Sequence, residues 1–163
     1  MPCSLCCPLA ATIRIEADAL AELARTKAGH EAMQFYRLSA EAYAHALQLK
    51  PDDACVLRNL ATVFAELAVL RTQQGSAALP EVDRLFGEAY DKLSVCLRLD
   101  SNDHKALDRW GNALCEHATA LLTLLPGEFA RPGQLLGAAA QRYRAAHRLQ
   151  PHNRDVLYNW GNG

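Results

Sequence analysis

Leu49, Leu99 and Leu149 stand fifty residues apart, and so do Leu57, Leu107 and Leu157. Pro51, Ser101 and Pro151 keep the same spacing, as do the small residues Ala46, Cys96 and Ala146 and the large ones Tyr43, Leu93 and Tyr143. Trp110-Gly111-Asn112 returns as Trp160-Gly161-Asn162, with Leu60-Ala61-Thr62 in the matching place before them. Three gapless copies constrain the fold more than any other feature. Each copy is one supersecondary unit that buries its apolar face only by stacking on its neighbours.

Each period reads as two helices. Asp52-Asp53 after Pro51 can cap a helix and favour its positive end. Leu57, Leu60, Ala61, Phe64, Leu67 and Ala68 then fall on one side of it at helical spacing. Gly75-Ser76 marks its end, and Pro80 suits the first turn of the next helix, which carries Leu85, Ala89, Leu93, Cys96 and Leu97. The pattern restarts with Asn102 or Asp103 as cap and runs to about Leu125. Pro126-Gly127 and Pro132-Gly133 read as loop, and Gln134 to Leu149 as the following helix. In the first copy, residues 10–28 and 31–49 form the pair around a Gly29-His30 turn.

Composition agrees. The chain has 29 Ala and 26 Leu but only 6 Val and 2 Ile, which favours helix over sheet. A formal net charge of −1 in 163 residues argues against a nucleic-acid-coating protein. No apolar run approaches the ~18 residues of a membrane-spanning helix. The start Met1-Pro2-Cys3 is unlike a secretory signal, so the expectation is a cytoplasmic protein, with an organelle surface or plastid as the alternative.

These residues resemble the tetratricopeptide repeat. Its first helix has a large, then large-small, then aromatic spacing, matched by Leu57, Leu60-Ala61 and Phe64, by Leu107, Trp110-Gly111 and Leu114, and by Leu157 and Trp160-Gly161. Its second helix has a small residue, a large one four later and a closing proline, matched by Ser39, Tyr43 and Pro51, by Ala89 and Leu93, and by Ala139, Tyr143 and Pro151. The resemblance covers roughly residues 10–163 and departs in period, since the family repeats every ~34 residues. The difference lengthens each helix or the loop between them. The pattern around Trp110 is also similar to repeats of plant and algal proteins, including the plant-type mitochondrial import receptor. The resemblance implies an all-α, right-handed α-solenoid of antiparallel helix pairs. The expected units are residues 10–50, 51–100 and 101–150 and a truncated 151–163, behind a flexible segment 1–9.

Little here suggests chemistry. The six histidines are dispersed, and neither a metalloprotease motif, a nucleophile elbow nor a phosphate loop is present. Cys3, Cys6 and Cys7 supply three sulfurs where structural zinc takes four ligands, and read as free thiols, with acylation as the alternative. The expectation is therefore no enzyme, no cofactor and no metal.

In tetratricopeptide proteins the first helix of each unit lines a concave groove. The resemblance places Arg58, Asn59, Thr62 and Glu66, then Lys105, Asp108, Arg109, Asn112 and Glu116, then Asp155, Tyr158, Asn159 and Asn162 along it. It implies a scaffold or adaptor that binds a protein or peptide. Some family members hold a partner's C-terminal carboxylate with Asn, Lys and Arg, and Asn59, Lys105 and Arg109 match three such positions, which would suit a chaperone tail. The preceding unit offers Pro8 and Thr12 instead. An organelle import or targeting receptor and a helical domain regulating an enzyme encoded in the same chain are the competing readings. The half repeat at the end leads to the expectation of a fragment, or of self-association through Leu157 and Trp160.

Overall fold

A computed structural model describes residues 6–151 and Gly161. Six α-helices account for nearly all of it, with no strand among the described residues. They are α1 (Cys6–Arg25), α2 (Gly29–Leu49), α3 (Ala54–Thr72), α4 (Leu79–Leu99), α5 (His104–Leu124) and α6 (Ala130–Leu149). Each is 19 to 21 residues long. The connections are short, so the residues beyond a shorter repeat period lie in the helices. Two long helices that pack along their length across a turn at 26–28 must run antiparallel.

The ends of the helices follow local chemistry. The Asp53 carboxylate accepts from the backbone N–H groups of Cys55 and Val56 at 3.1 and 3.2 Å, and that of Asp103 accepts from Ala106 N–H at 3.0 Å. Each satisfies donors that the first helical turn leaves unpaired. Pro80 lies in the first turn of α4, where its missing N–H costs nothing. Gly75 and Gly127 sit at φ +80° and +99° just past α3 and α5, a left-handed conformation that a side chain would strain.

Three expected boundaries move. The turn expected at Gly29-His30 lies at 26–28, and both residues belong to the first turn of α2. Helix α1 begins at Cys6, ahead of Ala10, so residues 6–9 of the segment expected to be flexible are helical. Helix α6 begins at Ala130 rather than Gln134, and Pro132-Gly133 lie inside its first turn instead of in a loop. Proline is tolerated there because the N–H it lacks has no intrahelical acceptor. Pro132 itself is buried.

Helices α1 with α2, α3 with α4 and α5 with α6 pack as pairs, and α3 meets both α5 and, more narrowly, α1. One continuous apolar core runs from Ile13 through Tyr43, Leu60 and Phe86 to Leu124. In each pair a large residue of the second helix enters a gap left by a small one of the first. Leu93 clusters with Ala61, and the Tyr143 ring lies over Gly111.

The first pair shows a shift in register that the fifty-residue period conceals. Tyr43 Oη donates to Asp18, as Tyr143 Oη donates to Asn112 at 2.7 Å. Ser39 Oγ donates to the Ala17 carbonyl at 2.8 Å. Ala17, not Ala11, is therefore the counterpart of Ala61 and Gly111, and Ile13 and Ala24 match Leu57 and Ala68 in burial. Ala17 and Ala61 are 44 residues apart. The missing six are taken from the α1–α2 junction, which is tighter than the α3–α4 junction with its 3-10 turn at Ser76–Ala78.

Candidate functional site

With the register corrected, α1, α3 and α5 present equivalent side chains to one face. Asp18, Thr62 and Asn112 form one row across the three helices, and Glu22, Glu66 and Glu116 form the next. Two adjoining cavities open between these rows. The larger, about 370 Å³, is bordered by Asp18, Glu22, Arg25, Tyr43, Asn59 and Arg109. The smaller, about 180 Å³, is bordered by Glu66, Asn112 and Glu116. Thr62 and Arg109 border both, which joins them into one groove.

A hydrogen-bond network stiffens the wall. Arg14 pairs with Asp18 at 2.8 Å, and Asp18 also accepts from Tyr43 Oη and from Asn59 Nδ2, the latter at 2.9 Å. Arg109 Nη1 donates to the Arg58 carbonyl, to Asn59 Oδ1 and to Thr62 Oγ1 at 3.1, 3.1 and 2.8 Å. Those three acceptors are neutral, and no carboxylate lies within ion-pair distance of Arg109 among the described residues. Burial, and after it the nearby Arg58, lowers the Arg109 pKa. Its planar donor fork is thus held in place while carrying an unbalanced charge.

The glutamates differ from one another. Glu22 pairs with Arg25 one turn away. Glu66 and Glu116 are half-buried, and neither finds a hydrogen bond or a salt bridge among the described residues. Burial raises the Glu66 carboxyl pKa against the pull of Arg25. Burial, and then the charge of Glu66, pushes Glu116 up to about 7. Because the folded chain holds this proton more tightly than the unfolded chain, Glu116 contributes stability that is full below its ordinary carboxylate range. That stability is lost as pH rises through 7. Glu116→Gln is expected to raise stability at pH 8 by roughly 2 kcal/mol and to leave it nearly unchanged at pH 5. Urea unfolding of both proteins at the two pH values checks this. An equal gain at both would mean that Glu116 does not titrate in this range.

Seven of the thirteen expected groove residues take part. Asn59, Thr62, Glu66, Arg109, Asn112 and Glu116 line the cavities, and Arg58 contributes its carbonyl. The Arg58 side chain turns away to pair with Asp103 at the start of α5. Lys105, one turn before Arg109, is exposed and borders neither cavity. Tyr158, Asn159 and Asn162 lie outside the described residues, as do Asp155, Leu157, Trp160 and Cys3. Sequence reasoning missed Asp18, Glu22, Arg25 and Tyr43. Pro8 and Thr12, which the gapless period puts in their place, precede the groove by about two helical turns.

A second polar cluster lies away from the groove. His117, buried on α5, stacks on Phe86 with centroids 4.4 Å apart. Its Nε2 is 2.9 Å from Asp83 and its Nδ1 is 2.9 Å from Tyr90 Oη. Arg131 of α6 makes a two-point contact to Asp83 at 2.6 and 3.1 Å. Burial lowers the His117 pKa against the pull of Asp83, so the ring is neutral at neutral pH. Every group here has a partner, and the cluster ties α4, α5 and α6 together.

No group of three or more His, Cys, Asp or Glu among the described residues is arranged to hold a metal ion. No described helix is long and apolar enough to cross a membrane. No protein-family model and no curated protein matches the sequence.

Proposed function

We propose that this chain is an adaptor of the tetratricopeptide type, and that the groove along α1, α3 and α5 binds a peptide segment of a partner protein. The helix pairs then belong to a right-handed solenoid, with the first helix of each pair on its concave side. The observation that carries this reading is the recurrence of polar side chains at equivalent places on three successive first helices, around two joined cavities. A surface with no binding role has no need to keep an unbalanced guanidinium and two unpaired carboxylates partly out of water, since each lowers stability. The rigid wall around Asp18, Asn59 and Arg109 supports peptide binding with little ordering cost on the protein side.

The test is selection of random dodecapeptides on the full chain. Peptides that bind are expected to lose at least tenfold in affinity with Thr62→Trp, which fills the junction of the two cavities. They should bind Lys105→Ala as they bind wild type. Binding that survives Thr62→Trp, with the variant folded by circular dichroism, would place the partner surface elsewhere.

A further inference from the structure

The repeat places a glutamate at one equivalent position on each of α1, α3 and α5, and all three border the groove: Glu22 the larger cavity, Glu66 and Glu116 the smaller. With Asp18, four carboxylates border the cavities beside two guanidinium groups, Arg25 and Arg109, and a third, Arg14, pairs with Asp18 from α1, which leaves the fully ionised lining acidic by one charge. Arg25 is already engaged by Glu22. Arg109 is held through Nη1 by three acceptors on or beside α3. That leaves Glu66 and Glu116 without a cation of their own. The titratable groups that face Glu116 are Glu66 on α3, Tyr90 on α4, Cys115 beside it and Tyr143 on α6, and none of them supplies a positive charge. Arg109 borders the same cavity but reaches neither carboxylate.

We infer that the occupant of the groove is an extended basic segment of a partner protein, with Lys or Arg at every third residue to meet this row of glutamates. The inference rests on the peptide-binding reading above and names the chemistry of its ligand. The charge of the lining selects cations and opposes a terminal carboxylate. The spacing follows from geometry. Packed helices stand about 8–10 Å apart. A polyproline-II segment has three residues per turn and rises about 3.1 Å per residue, so positions i and i+3 share one face about 9 Å apart. One such step suits the step from Glu66 on α3 to Glu116 on α5, two helices that pack on each other. Charge-assisted contacts between ammonium or guanidinium groups and carboxylates then fix the register.

Three capped nonapeptides test this by fluorescence anisotropy on the full chain. The first carries Lys at positions one, four and seven in a proline background. The second carries the same three lysines in a block, and the third replaces the spaced lysines with glutamates. The spaced lysine peptide is expected to bind at least tenfold tighter than the block, and the glutamate peptide not to bind. The double variant Glu66→Gln/Glu116→Gln, which keeps side-chain size, should weaken the spaced peptide about tenfold and flatten its salt dependence. Binding should tighten from pH 6 to pH 8 in wild type and not in the double variant. Equal binding of the spaced and block peptides, or preference for the glutamate peptide, overturns the inference while leaving a groove that binds peptides. Failure of the dodecapeptide selection to yield any groove-dependent binder removes the reading beneath it. Concentration-dependent self-association abolished by the double variant would assign the groove to a second copy of the chain and overturn the inference as well.

Discussion

Gly111→Ala is expected to destabilise the protein by about 2 kcal/mol, although alanine is the better helix former by about 1 kcal/mol. A Cβ at this position would stand 2.5 to 2.7 Å from three ring carbons of Tyr143. The ring cannot step aside. It is 2% exposed, packed with Leu114 and Ala139, and its hydroxyl is bound to Asn112 at 2.7 Å. The only ways to admit the methyl group are to part α5 from α6 or to push Tyr143 off its rotamer, and both cost more than the helix propensity returns. At roughly 2–4 °C per kcal/mol for a chain of this size, the melting temperature should fall by several degrees. The preceding pair supplies the rescue, because it packs Ala61 with Leu93 instead. In Gly111→Ala/Tyr143→Leu the two changes should cost less than their sum by about 1 kcal/mol or more. Strict additivity in thermal melts would mean that the two residues do not share the contact described.

Asp103→Ala should cost still more, about 3–5 kcal/mol, because it removes two things at once. The carboxylate caps α5 through Ala106 N–H and pairs with Arg58 of α3. The Asp103 side chain is 8% exposed and that of Arg58 is 16% exposed. Losing the cap costs about 1 kcal/mol, and the larger part comes from leaving a guanidinium unpaired where water barely reaches. Asp103→Asn separates the two, since Asn caps as well as Asp but does not carry the charge. It should fall between wild type and Asp103→Ala in urea unfolding. Equal losses for both variants would assign the whole effect to the ion pair, and a loss below 1 kcal/mol for Asp103→Ala would contradict the buried pair.

The helix caps are legible in the sequence, and so is most of the helical frame. Asp53, Pro80 and Asp103 mark helix starts through local chemistry, which needs no tertiary context. Tyr43, Leu93 and Tyr143 all lie in the core because a large residue at each of those points fills the same inter-helix gap. The register of α1 was not legible in the same way. The seam of this helix is nearly all alanine, with Ala10, Ala17, Ala21 and Ala24 buried beside a lone Ile13, and alanine marks a buried face weakly. A gapless fifty-residue frame, anchored on the strong second helices, therefore ran straight across a six-residue shortening at the α1–α2 junction. Aligning Ile13-x-x-x-Ala17 on Leu57-x-x-x-Ala61 and Leu107-x-x-x-Gly111 would have found it, and with it the glutamate row. Arg58 shows a different limit. Its carbonyl accepts from Arg109 beside the groove, but a long side chain reaches whichever acid lies nearest, and that acid caps the next helix.

Glu116 in the groove and His117 behind it act in opposite directions as pH changes. As pH rises from 5 to 8, Glu116 withdraws stability while the buried neutral His117 adds it, since an unfolded histidine would bind the proton that the folded one refuses. Stability and binding then change in opposite senses at Glu116. The ionised carboxylate weakens the free fold, and a cation from the partner offsets that cost.

On this reading the partner segment lies along the faces of α1, α3 and α5. Two-dimensional amide NMR of the full chain, titrated with the spaced lysine nonapeptide, tests it most directly. Shifts are expected to saturate together and to concentrate around Asp18, Glu22, Asn59, Thr62, Asn112 and Glu116. Little change is expected along the outer faces of α2 and α4. Shifts confined to α2, α4 or α6, or saturable binding that leaves Thr62 and Asn112 unmoved, would contradict it.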